Sequence, residues 1–385
     1  MINTAPSVTL RASKRGAPDT PAVPAPWRPV LLRPVDPRDR ARLDSLRASG
    51  DVRETHDRLA DQLAELVRCL RPGDAPAGPA RDAAVADVLA GADPRLYGTW
   101  VWYPWSGRLV RVLPEREFRR VRTDRNRDKI TSAGQERLLR RRIGVVGLSV
   151  GNSAALTCAM EGVGGSFRLA DFDDIGLSNL NRLRAGVHDL GLAKTVLCAR
   201  QMYETDPYLD IELWPEGLTE DGVGAFVGAG EQALDLVVEE CDTPWVKTAV
   251  REHARARRVP VLMDANDRGL LDVERFDLEP DRPLFHGRGG GLTAAQVRGL
   301  APADALAHLL DICDEANLSP AMADALRRIG TTLCSWPQLA SGVALGGALV
   351  TDTARRILLG EPVASGRYYV DLERLVGRVP VGALA

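Results

Sequence analysis

From residue 142 onward the chain alternates short apolar runs with longer stretches whose apolar residues recur at helical spacing. The runs at 143–147 (IGVVG), 167–172 (FRLADF), 211–214, 234–239 (LDLVVE) and 259–264 predict strands, and the stretches 153–162, 193–204 and 243–258 predict helices. Strands this apolar must be covered on both faces. Their alternation with helices predicts an α/β fold, a doubly wound, Rossmann-like parallel sheet, with ligands at the carboxyl ends of its strands.

Upstream the pattern weakens. Leu59, Leu63, Leu66, Val67 and Leu70 form the stripe of an amphipathic helix within 51–70, which the segment 71–79 (RPGDAPAGP) breaks. Residues 100–103 and 109–113 face each other across Ser106-Gly107 and predict a hairpin with a packed aromatic face. The spacing Ser132-x-x-Gln135 matches a capping box opening a short helix, which leaves 122–129 as a loop. The apolar run 339–350 (LASGVALGGALV) is too short to span a bilayer and reads as a buried helix. Three regions result: a disordered Pro-rich lead at 1–37, a smaller α+β accessory appendage at 38–121, and the sheet domain at 122–385.

Composition adds exclusions. With 45% hydrophobic and 26% charged residues in 385, a fibre or a wholly disordered chain is excluded. The net charge of -2 gives no reason to expect nucleic acid or a membrane as partner, although residues 116–142 carry eleven Arg or Lys against four acids, a local +7. Six scattered cysteines without C-x-x-C spacing argue against a disulfide framework or a structural zinc. The lead, with eight prolines and no continuous apolar core, does not read as a secretory signal; a reducing cytoplasm is the expected setting.

The chemistry concentrates after the first strand of the sheet. Gly147-Leu-Ser149-Val-Gly151-Asn follows that strand and opens a helix, where small residues and helix-terminal N–H groups admit a phosphate or simply make a tight turn. Asp171 ends the next strand at the spacing of a ribose-binding acid, which keeps a nicotinamide-dependent oxidoreductase in play. The following run, Asp171-Phe-Asp173-Asp174-Ile-Gly-Leu-Ser178-Asn179-Leu-Asn181-Arg182 and then Gly191-Leu-Ala-Lys194, argues for a magnesium triphosphate instead. Arg grips phosphate bidentately, Lys supplies a mobile charge, and Asp suits Mg2+.

This string, with Asp235-Leu-Val-Val-Glu-Glu-Cys-Asp242 and Pro337-Gln-Leu-Ala-Ser-Gly, closely resembles the ThiF-like adenylyltransferase family, whose fold is that of the ubiquitin-activating enzymes, over about 142–372. The resemblance implies ATP and Mg2+ as cofactors, with the turn residues Gly147, Ser149 and Gly151 beside the phosphates and Asp171 on the ribose. It further implies that Asn179, Arg182 and Lys194 hold the triphosphate and Asp242 the Mg2+. Asp173 either supports this strand end or is merely solvated. An arginine ahead of the first strand, often from the second subunit of a homodimer, reaches the terminal phosphates in this family; Arg125 and Arg127 are the candidates, or are surface residues. The implied reaction is attack of a substrate carboxylate, on a carrier-protein C-terminus, a peptide or a small molecule, at the α-phosphorus, giving an acyl-adenylate and pyrophosphate.

The sequence departs from the family in its turn, GLSVGN in place of G-x-G-G-L-G, which keeps a nucleotide-binding scaffold with degenerate catalysis as the alternative. No transfer cysteine can be placed. Cys241 reads as a buried small residue, while Cys313 and Cys334 have no base patterned beside them, so a thioester is not expected. A substrate pocket is expected from residues 264–269 (DANDRG) and 285–291 (FHGRGGG), with Arg268 or Arg288 pairing the substrate carboxylate and His286 acting as a base or capping a loop.

Overall fold

A computed structural model of the protein describes residues 26–74 and 76–377. The small sheet comprises β1 (Val30–Leu32), β2 (Glu54–Asp57), β3 (Thr99–Tyr103) and β4 (Arg108–Val112), in the order β1-β3-β4-β2. The large sheet comprises β5 (Arg142–Val146), β6 (Ser166–Ala170), β7 (Asp210–Trp214), β8 (Leu236–Glu239), β9 (Val261–Ala265), β10 (Leu270–Glu274) and β11 (Gly366–Tyr369). Its order is β11-β10-β9-β8-β5-β6-β7.

Strands β5 to β9 are parallel, with the apolar runs of β5, β6, β8 and β9 buried and β7 half-exposed at the edge. Side chains alternate between the two covered faces. Ile143, Val145, Phe167 and Leu169 pack under the helices Gly151–Glu161, Lys194–Thr205 and Ala340–Leu359. Val146, Val237 and Val261 meet Phe226, Val246 and Val250 on the other side. The chain winds outward from β5 through β6 to β7, then returns to β8 on the opposite flank of β5. That reversal makes the carboxyl ends of β5 and β8 the switch point where a doubly wound sheet leaves a crevice.

The antiparallel pair β10 and β11, closing the sheet beyond β9, goes beyond the sequence expectation. The 339–350 run lies in the Ala340–Leu359 helix, where Gly346 and Gly347 allow close approach to Asp264 and Ser153. No helix among the described residues is long and apolar enough to cross a membrane.

Several boundaries differ from expectation. The Pro-rich lead lies outside the described residues only as far as residue 25; from there Arg28 donates to the Ile211 carbonyl at 2.8 Å, and β1 pairs with β3 and buries Leu32. Residues 54–57 are strand β2 rather than helix: they pair in parallel with Arg108 to Arg111 of β4, and in that register Glu54 and Asp57 meet Arg108 and Arg111 at 3.3 and 3.1 Å. The helix therefore begins at Leu59. The short helix Ser132–Leu138 is capped by Thr131, whose hydroxyl accepts from Gly134 N at 3.0 Å, rather than by Ser132. Gln135 instead donates to the carbonyls of Glu161 and Gly162.

The basic segment is largely structural. Arg119 and Arg122 converge on buried Asp206 at 3.1 and 3.2 Å, and Arg122 also donates to the Ala159 and Met160 carbonyls at the end of a helix. Arg137 caps Leu358 O and Arg141 pairs with Asp235 at 2.7 Å. Cations at helix carboxyl ends are favoured by the exposed carbonyl dipoles.

Candidate functional site

The turn after β5 is shaped by close approach. Gly147 has φ +86°, and a Cβ there would lie 2.6 Å from the Glu240 carbonyl, where the chain leaves β8. Gly151 opens the following helix, and a Cβ on it would lie 2.8 Å from a Val145 methyl, so glycine lets the helix pack onto its strand. The helix Gly151–Glu161 has no side-chain cap; Ser153 N donates to Val150 O at 2.9 Å, which leaves the N–H groups of Gly151 and Asn152 at the crevice. Ser149 presents a buried hydroxyl without a partner among the described residues.

Asp171 ties this turn to the end of β6. Its Oδ2 accepts from Leu148 N at 2.7 Å and its Oδ1 from Asp173 N at 2.8 Å. Burial pushes its carboxyl up, while Lys194 and the two backbone N–H groups pull it down. Lys194, buried as the first residue of its helix, pairs with Asp173 at 2.7 Å and lies 3.9 Å from Asp171. A cation at a helix amino end opposes the dipole, and Asp173 offsets that cost. Asp173 is thus a partner of Lys194 rather than simply a solvated acid.

The segment between Asp171 and Lys194 crosses this rim. Asn179 Oδ1 accepts from Gly176 N at 2.9 Å and closes a tight turn. Arg182 donates to Asn181 Oδ1 at 2.9 Å and to Ser178 O at 3.2 Å, while its Nε is buried without a partner among the described residues. Burial lowers the Arg182 guanidinium and the charge of Asp242 raises it. Asp242, beyond β8, is open to water by surface area although dense protein around it raises its carboxyl; Lys247, Lys194 and Arg182 pull it down. Its exposure favours an ionised group at neutral pH. Lys194, Arg182 and Asp242 are therefore brought into one electrostatic neighbourhood.

A cleft opens beside Asp242, lined by Val150, Glu240, Asp264, Asn266, Cys313 and Tyr369 among others. Behind it, Glu239 is fully buried and meets Lys247 at 3.2 Å and Arg251 at 2.6 Å. Breaking such a pair strands a buried charge, so the network holds β8 against the Pro244–Ala256 helix. Lys247 and Arg251, one helical turn apart behind a strand ending in acid, are the signal in the sequence that could have identified it. Asp264 is 6% exposed, and neither carboxylate oxygen has a partner among the described residues. Burial pushes its carboxyl up to about 7.

Other expected site residues are placed elsewhere. Asn126, between Arg125 and Arg127, donates to Glu161 O at the carboxyl end of the Gly151–Glu161 helix, whose amino end faces the crevice. At ~1.5 Å per residue that helix separates the two ends by roughly 15 Å. Arg127 pairs with Asp124, so the structure does not bring Arg125 and Arg127 to the crevice of their own chain. Arg268 pairs with Asp371 at 2.8 Å and Arg288 with Asp314 at 2.8 Å, so both expected carboxylate binders are already engaged. His286 accepts from Arg282 at Nδ1 and meets Asp272 through Nε2 at 2.9 Å, which makes it part of a buried ion network rather than a free base. Burial raises the thiols of Cys241 and Cys313, which opposes thiolate formation.

Residues 123–368 match the ThiF family. An uncharacterised protein of Mycobacterium tuberculosis is 44% identical over 350 residues, covering 91% of this chain and 46% of its own. The sulfur carrier protein ThiS adenylyltransferase of Escherichia coli is 30% identical over 125 residues, 32% of this chain and 49% of its own. The crystal structure of the E. coli tRNA N6-threonylcarbamoyladenosine dehydratase in complex with ATP is 16% identical with a TM-score of 0.44, covering 63% of this chain and 95% of that one. This chain spans about half the length of the first of these relatives.

Proposed function

The chain belongs to the ThiF family, and from that premise we propose that it is an ATP-dependent adenylyltransferase that activates a carboxylate. The observation that carries this reading is the convergence, at the switch point of the sheet, of an uncapped helix amino end with Lys194, Arg182 and Asp242, where Ser149 Oγ and Arg182 Nε stand buried and without a partner among the described residues. Donors and cations so arranged suit a triphosphate.

In this reading the turn Gly147 to Gly151 receives phosphate oxygens, Asp171 the ribose, and Asn179, Arg182 and Lys194 the triphosphate. Lys194 would turn from Asp173 toward phosphate, with Asp173 keeping it charged and nearby. Asp242 would hold Mg2+. The described residues contain no cluster of three or more His, Cys, Asp or Glu that could hold a metal, and Mg2+ fits because it commonly takes one or two carboxylates together with substrate phosphates. When bound, it would neutralise charge on the departing pyrophosphate.

A substrate carboxylate oxygen attacks the α-phosphorus, and the bond from that phosphorus to the bridging oxygen of pyrophosphate breaks. The nucleophile is already ionised, so no proton has to be removed. Positioning and charge neutralisation carry such a step. Arg125 and Arg127, remote from their own crevice, would serve the crevice of a second copy in a homodimer. Residues 122–385 would form the adenylation domain and 38–121 an accessory that shapes recognition, in a cytoplasmic protein.

Exchange of labelled pyrophosphate into ATP, tested against a panel of carboxylic acids and carrier C-termini with Mg2+, examines the proposal. Exchange dependent on an acid and lost in Asp242→Ala supports it. ATP binding without exchange for any acid favours the nucleotide-holding scaffold, the reading motivated by Ser149 in the altered turn.

A further inference from the structure

The cleft beside the proposed ATP site has an unusual wall. Glu240, Asp242, Asp264 and Asp267 line it, and the one basic lining residue among the described residues, Lys247, is committed to Glu239. Asp267 is occupied, since both Ser319 N and Oγ donate to it at 2.7 Å. Glu240 accepts from Asp264 N at 2.8 Å. Asp264 Oδ1, Asp264 Oδ2 and Asn266 Oδ1 are buried acceptors with no donor among the described residues.

Such acceptors are costly unless something supplies donors. Three orphaned acceptors at the carboxyl end of β9, two on Asp264 within the strand and one on Asn266 just beyond it, with no orphaned donor among the described cleft-lining residues, specify a ligand that donates and is positively charged. A metal ion is the weaker fit, because no metal-capable cluster of three or more His, Cys, Asp or Glu occurs among the described residues. An ammonium offers up to three N–H donors, one for each acceptor.

We propose that this cleft recognises a protonated primary amine on the carboxylate substrate, seated on Asp264 and Asn266, so that the substrate class is an amine-bearing acid. The inference rests on the adenylation reading for the carboxylate's destination, while the amine seat is defined by these acceptors alone. It also accounts for why Arg268 and Arg288 are engaged elsewhere: the substrate is oriented through its cationic end.

The test is calorimetric titration of the full chain with the standard amino acids and β-alanine, each beside its N-acetyl derivative, with ATP titrated separately. At least one free amine is expected to bind at least tenfold more tightly than its acetylated counterpart. Asp264→Asn should remove that preference while binding ATP as the wild type does, which confirms that it folds. Asn266→Ala should weaken amine binding severalfold and serves if Asp264→Asn does not fold. The inference is overturned if no free amine is preferred, if the preference survives in Asp264→Asn, or if MgCl2 alone occupies the seat and displaces the amine. A protein that takes the amine but not ATP would refute the adenylation reading and leave this one standing. ATP binding without amine preference would do the reverse.

Discussion

Asp264→Asn should stabilise the free protein, and by an amount that depends on pH. The side chain is 6% exposed and has no partner among the described residues, and its carboxyl is pushed from the ordinary 3.8 to about 7 by burial. At ~1.36 kcal/mol per pH unit, keeping it ionised in the folded chain costs about 4 kcal/mol at most. Relaxation and water in the cleft bring this nearer ~2 kcal/mol. Between pH 4 and 7 the unfolded chain has lost this proton while the folded chain keeps it, so stability falls as pH rises through that window and levels off above it. Asparagine carries no charge to bury and relieves Glu240, whose carboxyl is raised by burial and by Asp264. Thermal melts of both proteins from pH 4.5 to 8, without ligand, should show the variant about 5 °C more stable at pH 8, at roughly 2–4 °C per kcal/mol. The gap should shrink toward pH 4.5. A gap independent of pH, or a variant less stable at pH 8, would refute the reasoning.

Other residues give equally direct expectations. Gly147→Ala forces a side chain onto a backbone at φ +86° and against the Glu240 carbonyl, so the melting temperature should fall by several degrees, at a cost above ~2 kcal/mol; an unchanged melt would contradict the close approach. Lys194→Met and Arg182→Gln should each weaken ATP binding at least ~10-fold by calorimetry if each makes the proposed charge-assisted phosphate contact; an unaltered Kd removes that residue from the site. If Arg125 and Arg127 act across a homodimer, mixing and re-equilibrating inactive Arg125→Ala/Arg127→Ala with inactive Asp242→Ala should restore about a quarter of wild-type exchange, because half the dimers are mixed and each holds one intact site. No recovery would place the arginines outside the reaction.

Much of the sheet was legible because four buried strands, β5, β6, β8 and β9, announce themselves as apolar runs and their connecting helices carry a stripe. The edge pair β10 and β11 was not, since β10 follows β9 through a tight turn at Arg268 and Gly269, both at positive φ, and nothing in local composition separates the two strands. Strand β2, just ahead of the helical stripe, was hidden because all four of its residues are exposed and carry no apolar alternation, and it is its parallel pairing with β4, supplemented by cross-strand ion pairs, that places it. At the site, the residues from Asp171 to Lys194 could be read as a group because they are contiguous. The Glu239, Lys247, Arg251 and Glu274 network could not, because its partners come from two strands and a helix and meet only in the folded core. The structural part of the +7 segment was hidden for the same reason: Asp206, which takes two of its arginines, lies 87 and 84 positions away.

The proposed reaction turns on attack by a carboxylate oxygen on the α-phosphorus of ATP. An acid that supports exchange, labelled with 18O in its carboxylate, should leave one labelled oxygen in AMP after the acyl group is transferred, because the carboxylate oxygen stays on phosphorus when the carbonyl–oxygen bond breaks. Unlabelled AMP, or label released in inorganic phosphate with ADP as the product, would mean that the carboxylate does not attack the α-phosphorus and would contradict the account.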